Sequence, residues 1–157
     1  MEYTERTMTI EEVIAEKGYI VYVNVGKSMM PLLRERKDLI EIHRKDPNIR
    51  CEKYDVVLYK RGNMNVLHRV LKVREKDYVI CGDHNIRREY GITDDQIIGV
   101  MTRVIRDGKS IPVTDWKYRV YSHLWCDFFH VRVAILYAKM KAAAVKRRVL
   151  DITRSAR

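Results

Sequence analysis

The chain has 157 residues, 46% of them hydrophobic, and only seven glycines and three prolines, which fits one domain with a real core and argues against long disorder. Three cysteines, Cys51, Cys81 and Cys126, are odd in number and lack CxxC or Cys/His metal spacing, so they suit a reducing compartment and argue against a disulfide scaffold or a structural zinc site. The formal net charge of +10 is concentrated from Lys117 onward, where ten of the lysines and arginines face only Asp127 and Asp151, so any electrostatic partner is expected there.

In chain order, Met8 to Lys17 reads as a short helix: Thr9 can cap it, Glu11 and Glu12 suit its N-terminus, and Gly18 stops it. With five acidic residues and no apolar run before Gly18, this segment predicts neither a signal peptide nor a membrane anchor. The period then changes to two. Tyr19 to Val25, Leu39 to His43, Val56 to Lys60, Asn65 to Arg74, Asp77 to Cys81 and Ile97 to Arg106 are β-branched, aromatic or alternating, hence strands. Turns are expected at Asp46-Pro47-Asn48, Arg61-Gly62-Asn63 and Asp107-Gly108. Residues 19 to 113 therefore predict short antiparallel strands. From Trp116 onward an Ala- and Lys-rich pattern predicts one or two helices, with Val120, Leu124, Phe128, Val131, Ile135 and Met140 at helical spacing. The most apolar window, Leu124 to Ala138, contains Asp127, His130 and Arg132 and is shorter than the roughly 20 residues a bilayer needs, so no transmembrane segment is expected.

Four groups of residues suggest chemistry. Gly26-Lys27-Ser28-Met29-Met30-Pro31-Leu32-Leu33 lies at a strand end, where Gly permits a sharp turn, Ser28 can project, and free N–H groups can stabilise an oxyanion. Asp55-Val56-Val57-Leu58-Tyr59 enters a hairpin whose return strand bears His68-Arg69-Val70, and Cys81-Gly82-Asp83-His84-Asn85 and Ile97-Ile98-Gly99-Val100 follow. In this order and spacing the boxes resemble those of type I signal peptidases and the related LexA-like peptidases, over about residues 20 to 104. The departures are Tyr54, where the family usually has Gly, Lys27 for a small or polar residue, and Leu32 for Thr.

The resemblance implies a mainly β fold, an antiparallel coiled β-sheet peptidase domain over residues 1–115, with a short N-terminal helix and a C-terminal helical arm over 116–157. It implies a serine endopeptidase that cleaves leader or signal segments after small residues, needing no cofactor or metal. Ser28 is the expected nucleophile. Since His68 occupies the base position, the chain looks like the histidine branch found in archaea and the endoplasmic reticulum; a neutral imidazole is available at pH 7 to take the serine proton. The carboxylate that orients it is expected to be Asp83, inside the Gly-Asp box, ahead of Glu89, at the position where that branch usually has Asp. Other readings are a non-catalytic peptide-binding module of the same fold and a LexA-like self-cleaving regulator. No helix-turn-helix pattern precedes the strands, which argues against the regulator and against nucleic acid as a partner. The expected partner is an extended peptide; the arm reads either as a helix packed on the β-domain with a solvated basic end or as a helix in peripheral contact with an anionic membrane. The expected location is the cytoplasm or a membrane surface.

Overall fold

A computed structural model describes the backbone of residues 7–155 and the side chains of residues 7–148. The reading of residues 1–6, and the side chains of Asp151, Arg154 and Arg157 in the basic arm, lie outside the described residues.

Helix α1 (Ile10–Lys17) starts as its sequence dictates: the Thr9 hydroxyl accepts from the Glu12 N–H, and the Glu12 carboxylate accepts from the Thr9 N–H. It ends at Gly18, whose φ of 80° suits a residue without a Cβ. Eight strands follow: β1 (Tyr19–Val23), β2 (Leu39–Arg44), β3 (Val56–Arg61), β4 (Met64–Val73), β5 (Tyr78–Cys81), β6 (Glu89–Ile92), β7 (Ile97–Arg106) and β8 (Lys109–Pro112). Two helices close the chain, α2 (Trp116–Asp127) and α3 (Phe129–Ser155).

The strands form one antiparallel sheet in the order β1-β2-β7-β3-β4-β5-β6, with β8 beside the C-terminal half of β7. Register shifts at Glu41/Ile42, Leu58/Tyr59, Val70/Lys72 and Tyr78/Ile80 interrupt the ladders, and such irregularities increase twist. The fold is thus mainly β, as the period-two pattern predicts.

Strand β3 is buried on both faces, so its side chains alternate between two cores. Val56 and Leu58 join Met29, Leu33, Ile40, Ile42, Met101 and Ile14 of α1. Val57 and Tyr59 join Val70, Tyr78, Ile80 and Ile97 on the other side.

One stripe of α2 and α3 is buried: Tyr118, Ser122, Cys126, Phe129, Arg132 and Leu136. The more apolar stripe of the sequence, Val120, Leu124, Phe128, Val131 and Ile135, lies exposed. The boundary expected at 115/116 marks where strands give way to helices, but buried polar contacts tie α2 to the sheet across it. No helix of the described residues is long and apolar enough to cross a membrane.

Candidate active site

After β1 the chain turns inward. Asn24 is buried; its N–H donates to the Asp38 carbonyl (3.0 Å) and its side-chain amide to the Gly26 carbonyl (2.9 Å). Met29 and Leu33 plug the first core, and the Leu33 N–H donates to the Met29 carbonyl (2.9 Å). Ser28 sits between these anchors, half-buried, at a position fixed by its neighbours' packing. Its carbonyl accepts from the His84 N–H at 2.7 Å. Two residues back, Gly82 marks the point of convergence. A Cβ there would stand 2.6 Å from the Ser28 carbonyl oxygen, 2.9 Å from His68 Nε2 and 2.9 Å from Asn85 Nδ2. Only glycine leaves that space open, so any side chain at 82 would push the serine loop away from the histidine.

His68 lies on β4 opposite Val57 of β3, and is only 2% exposed. Its Nδ1 faces two groups, Glu89 Oε1 at 3.0 Å and the Tyr59 hydroxyl at 3.1 Å. Tyr59 belongs there because it is two residues from Val57, on the same face of β3. The Tyr59 hydroxyl is also bonded to the Glu89 carboxylate, and burial followed by the Glu89 charge pushes its pKa far up, so it remains protonated. It therefore donates to Glu89. With a carboxylate at Nδ1, the proton of neutral His68 belongs on that nitrogen, leaving the Nε2 lone pair directed at Asn85 Nδ2 (3.3 Å). Burial lowers the His68 pKa below its ordinary 6.5; Glu89 opposes this and the Arg61 charge reinforces it. Arg61 caps the group from outside, donating to Glu89 Oε1 at 3.1 Å. The geometry favours an unprotonated Nε2 at neutral pH, which is what a general base requires. Ser28 Oγ is not hydrogen-bonded to it, and free enzymes commonly hold such pairs loosely before substrate binds.

Of the two carboxylates proposed from the sequence, Glu89 meets His68 and Asp83 does not. Asp83 is fully buried and receives a bidentate Arg69 guanidinium, Nε to Oδ1 at 2.9 Å and Nη2 to Oδ2 at 2.8 Å. The Tyr121 hydroxyl donates to Oδ2 at 2.9 Å, and the Trp125 indole N–H to the Asp83 carbonyl at 2.8 Å. Arg69 Nη1 donates to the Tyr54 carbonyl (2.9 Å) and the Ser122 hydroxyl (3.0 Å). Successive residues of a strand point to opposite faces. His68 faces the second core and Arg69 the helices, so Asp83 locks α2 to the sheet.

Tyr54, at the place where the resembled family has Gly, has a φ of 83° in the left-handed region. Its hydroxyl donates to the Asp127 carboxylate, a contact glycine could not make. His84 is exposed, and Lys60, exposed as well, pairs with Glu11, so it is not a base for Ser28. Tyr59, Asn85 and Arg61 complete the site without being among the residues to which the sequence motifs assign chemistry. Strand alternation carries a signal for Tyr59, and Asn85 stands in the Gly-Asp box; Arg61 had none. All three cysteines are buried free thiols. Compared with models of known protein families and with curated protein sequences, the chain matches none.

Proposed function

We propose that the chain is a serine endopeptidase in which Ser28 is the nucleophile, His68 the general base and Glu89 the group that orients His68. The observation that carries this reading is the buried His68, engaged at Nδ1 by a carboxylate while Nε2 turns to the glycine-lined point where the Ser28 segment also arrives. As Ser28 Oγ bonds to the substrate carbonyl carbon, its proton passes to Nε2. The negative charge on the carbonyl oxygen falls to N–H groups of the loop, the Ser28 N–H among them. His68 then gives the proton to the leaving amine as the C–N bond breaks. Water, deprotonated by the same nitrogen, releases the acyl group and restores Ser28.

An extended substrate suits the architecture. Among the described residues β1 pairs only with β2, which leaves its other edge unpaired there, and it leads to Ser28 in a few residues. A peptide can add to that edge with backbone hydrogen bonds. Leader or signal segments cleaved after small residues remain the substrate class that the motif resemblance suggests.

The test is mass spectrometry of a peptide library incubated with wild type, Ser28→Ala and His68→Ala, each checked for native circular dichroism. Each variant should lose at least about a thousandfold in rate. Cleavage by Ser28→Ala at the wild-type rate would leave the non-catalytic peptide-docking reading in its place.

A further inference from the structure

Among the described residues the exposed stripe of α2 and α3 has no partner. Leu124, Phe128 and Val131 are each more than half exposed, and Ile135 is 44% exposed. They share one groove with Pro31, at the end of the Ser28 loop. Monomeric proteins seldom leave a contiguous apolar strip of this kind uncovered without a use for it. At 3.6 residues per turn the strip continues along α3 through Ala138, Ala142 and Val145, within an arc of roughly 80°. That arc lies well away from the buried stripe of Phe129, Arg132 and Leu136.

Charge decides the occupant. The same helical geometry sets Lys139 and Lys146 along one border of the strip and Lys141 and Arg148 along the other. Between Phe128 and Arg148 there is no acidic residue. A second copy docking here would bring cations against cations. Nucleic acid would leave the apolar centre unsatisfied. An apolar strip with a cationic border on both sides fits the boundary between acyl chains and anionic headgroups.

We infer that this face of α2–α3 is a docking surface for an anionic lipid bilayer, on which the helix pair lies flat. Phe128, Val131 and Ile135 enter the acyl boundary and the lysines meet the headgroups. Because Pro31 borders the same groove, the bilayer comes up beside the Ser28 loop. Resting on the peptidase reading, this would favour substrates whose scissile bond lies near a membrane surface.

The test uses the full chain carrying Ser28→Ala, so that binding is read independently of cleavage. It is sedimented with phosphatidylcholine vesicles containing phosphatidylglycerol, and with vesicles of phosphatidylcholine alone. Binding should be at least about tenfold tighter to the anionic vesicles, since each cation near such a surface is worth roughly fivefold, and should fall steeply with added salt. Phe128→Glu and Val131→Glu are at exposed positions, so both variants should fold, and each should lose at least about tenfold in binding. Lys139→Glu with Lys146→Glu should do the same. No binding to anionic vesicles, equal binding to both kinds, or undiminished binding by Val131→Glu would each overturn the inference. A dimer of the parent chain that Val131→Glu converts to a monomer would overturn it too, assigning the strip to a second copy.

Discussion

His68 and Arg69 are neighbours on β4, each almost fully buried, each facing a carboxylate and a tyrosine, yet they sit in opposite kinds of site. On the Arg69 face the donors and acceptors match. Arg69 and Asp83 meet at two points, Tyr121 adds a third bond to the carboxylate, and Tyr54 and Ser122 take the remaining Nη1 donors. On the His68 face the matching stops halfway. Nδ1 is engaged by Glu89 and Tyr59, while Nε2 has only the long approach of Asn85. A satisfied network fixes a helix; an unsatisfied nitrogen with a depressed pKa is available for proton transfer. One strand thus separates a lock from the proposed base.

Breaking the lock gives the largest expected effect. Arg69→Met leaves Asp83 charged and buried without its partner, so unfolding stability should fall by about 3 to 5 kcal/mol. Chemical denaturation monitored by circular dichroism measures it. Arg69→Met combined with Asp83→Leu should recover much of the loss, because two apolar groups replace a buried pair with little penalty. If the double variant stays as unstable as the single one, the pair does more than hold α2. The same network makes truncation after Thr114 destabilising, since it removes Tyr118, Ser122 and Tyr121 from Arg69 and Asp83.

The Glu89→Gln variant addresses the other face. An amide can present its NH₂ to Nδ1 and so favour the wrong tautomer, and the rate should fall by about a hundred- to a thousandfold with stability little changed. Asp83→Asn should instead lower stability first. A larger rate loss in Asp83→Asn than in Glu89→Gln, at matched folded fraction, would return the orienting role to Asp83.

How much of this was legible in the sequence depends on the range of the interactions. Strand alternation is local, so β1 to β5 and β7 could be read directly. β6 could not, because Glu89-Tyr90-Gly91-Ile92 is short, does not alternate, and turns through Gly91 at a φ of 77°. It is the strand that brings Glu89 to His68, which is why both carboxylates stood open. The Ser28 and His68 boxes were legible as a linear pattern. The partner of Arg69 was not, since Asp83 is fourteen residues away and Tyr121 thirty-eight further. The same range explains the helices: apolar spacing marks the Val120–Ile135 stripe but does not say which face packs, and the ion pair draws in the stripe bearing Ser122 and Tyr118.

The pH dependence sharpens the contrast. His68 has a folded pKa below 6.5, so the active neutral form should persist below that pH and activity should rise through an apparent pKa under 6.5, then level off. In Glu89→Gln the charge that opposes burial is gone, and the midpoint should move to still lower pH even as the plateau falls. Stability follows the same sign. As pH drops below about 6.5 the unfolded chain takes up a proton at His68 before the folded chain does, so folding weakens from that point downward. A pH–rate profile still climbing steeply at pH 9 would contradict the histidine base and point to a lysine.

The smallest effects come from the two tyrosines, and they separate the faces most cleanly. Tyr59 and Tyr121 are both raised in pKa by burial first, so each keeps its proton and donates to its carboxylate, Tyr59 to Glu89 and Tyr121 to Asp83. Removing either hydroxyl deletes a bond to a charged acceptor that keeps another cationic or N–H partner, worth about 1 to 2 kcal/mol. The consequence depends on what that acceptor does. In Tyr121→Phe, Asp83 still holds Arg69 at two points, so the loss should register as stability, with the rate per folded molecule unchanged. In Tyr59→Phe, Glu89 is freer to rotate from Nδ1, so the rate should fall about five- to tenfold while denaturation shifts less than in Tyr121→Phe. Paired measurement of the denaturation midpoint and the initial rate decides it. Should both variants lose rate equally, the two faces of β4 would be one coupled network, and the division between lock and base would not hold.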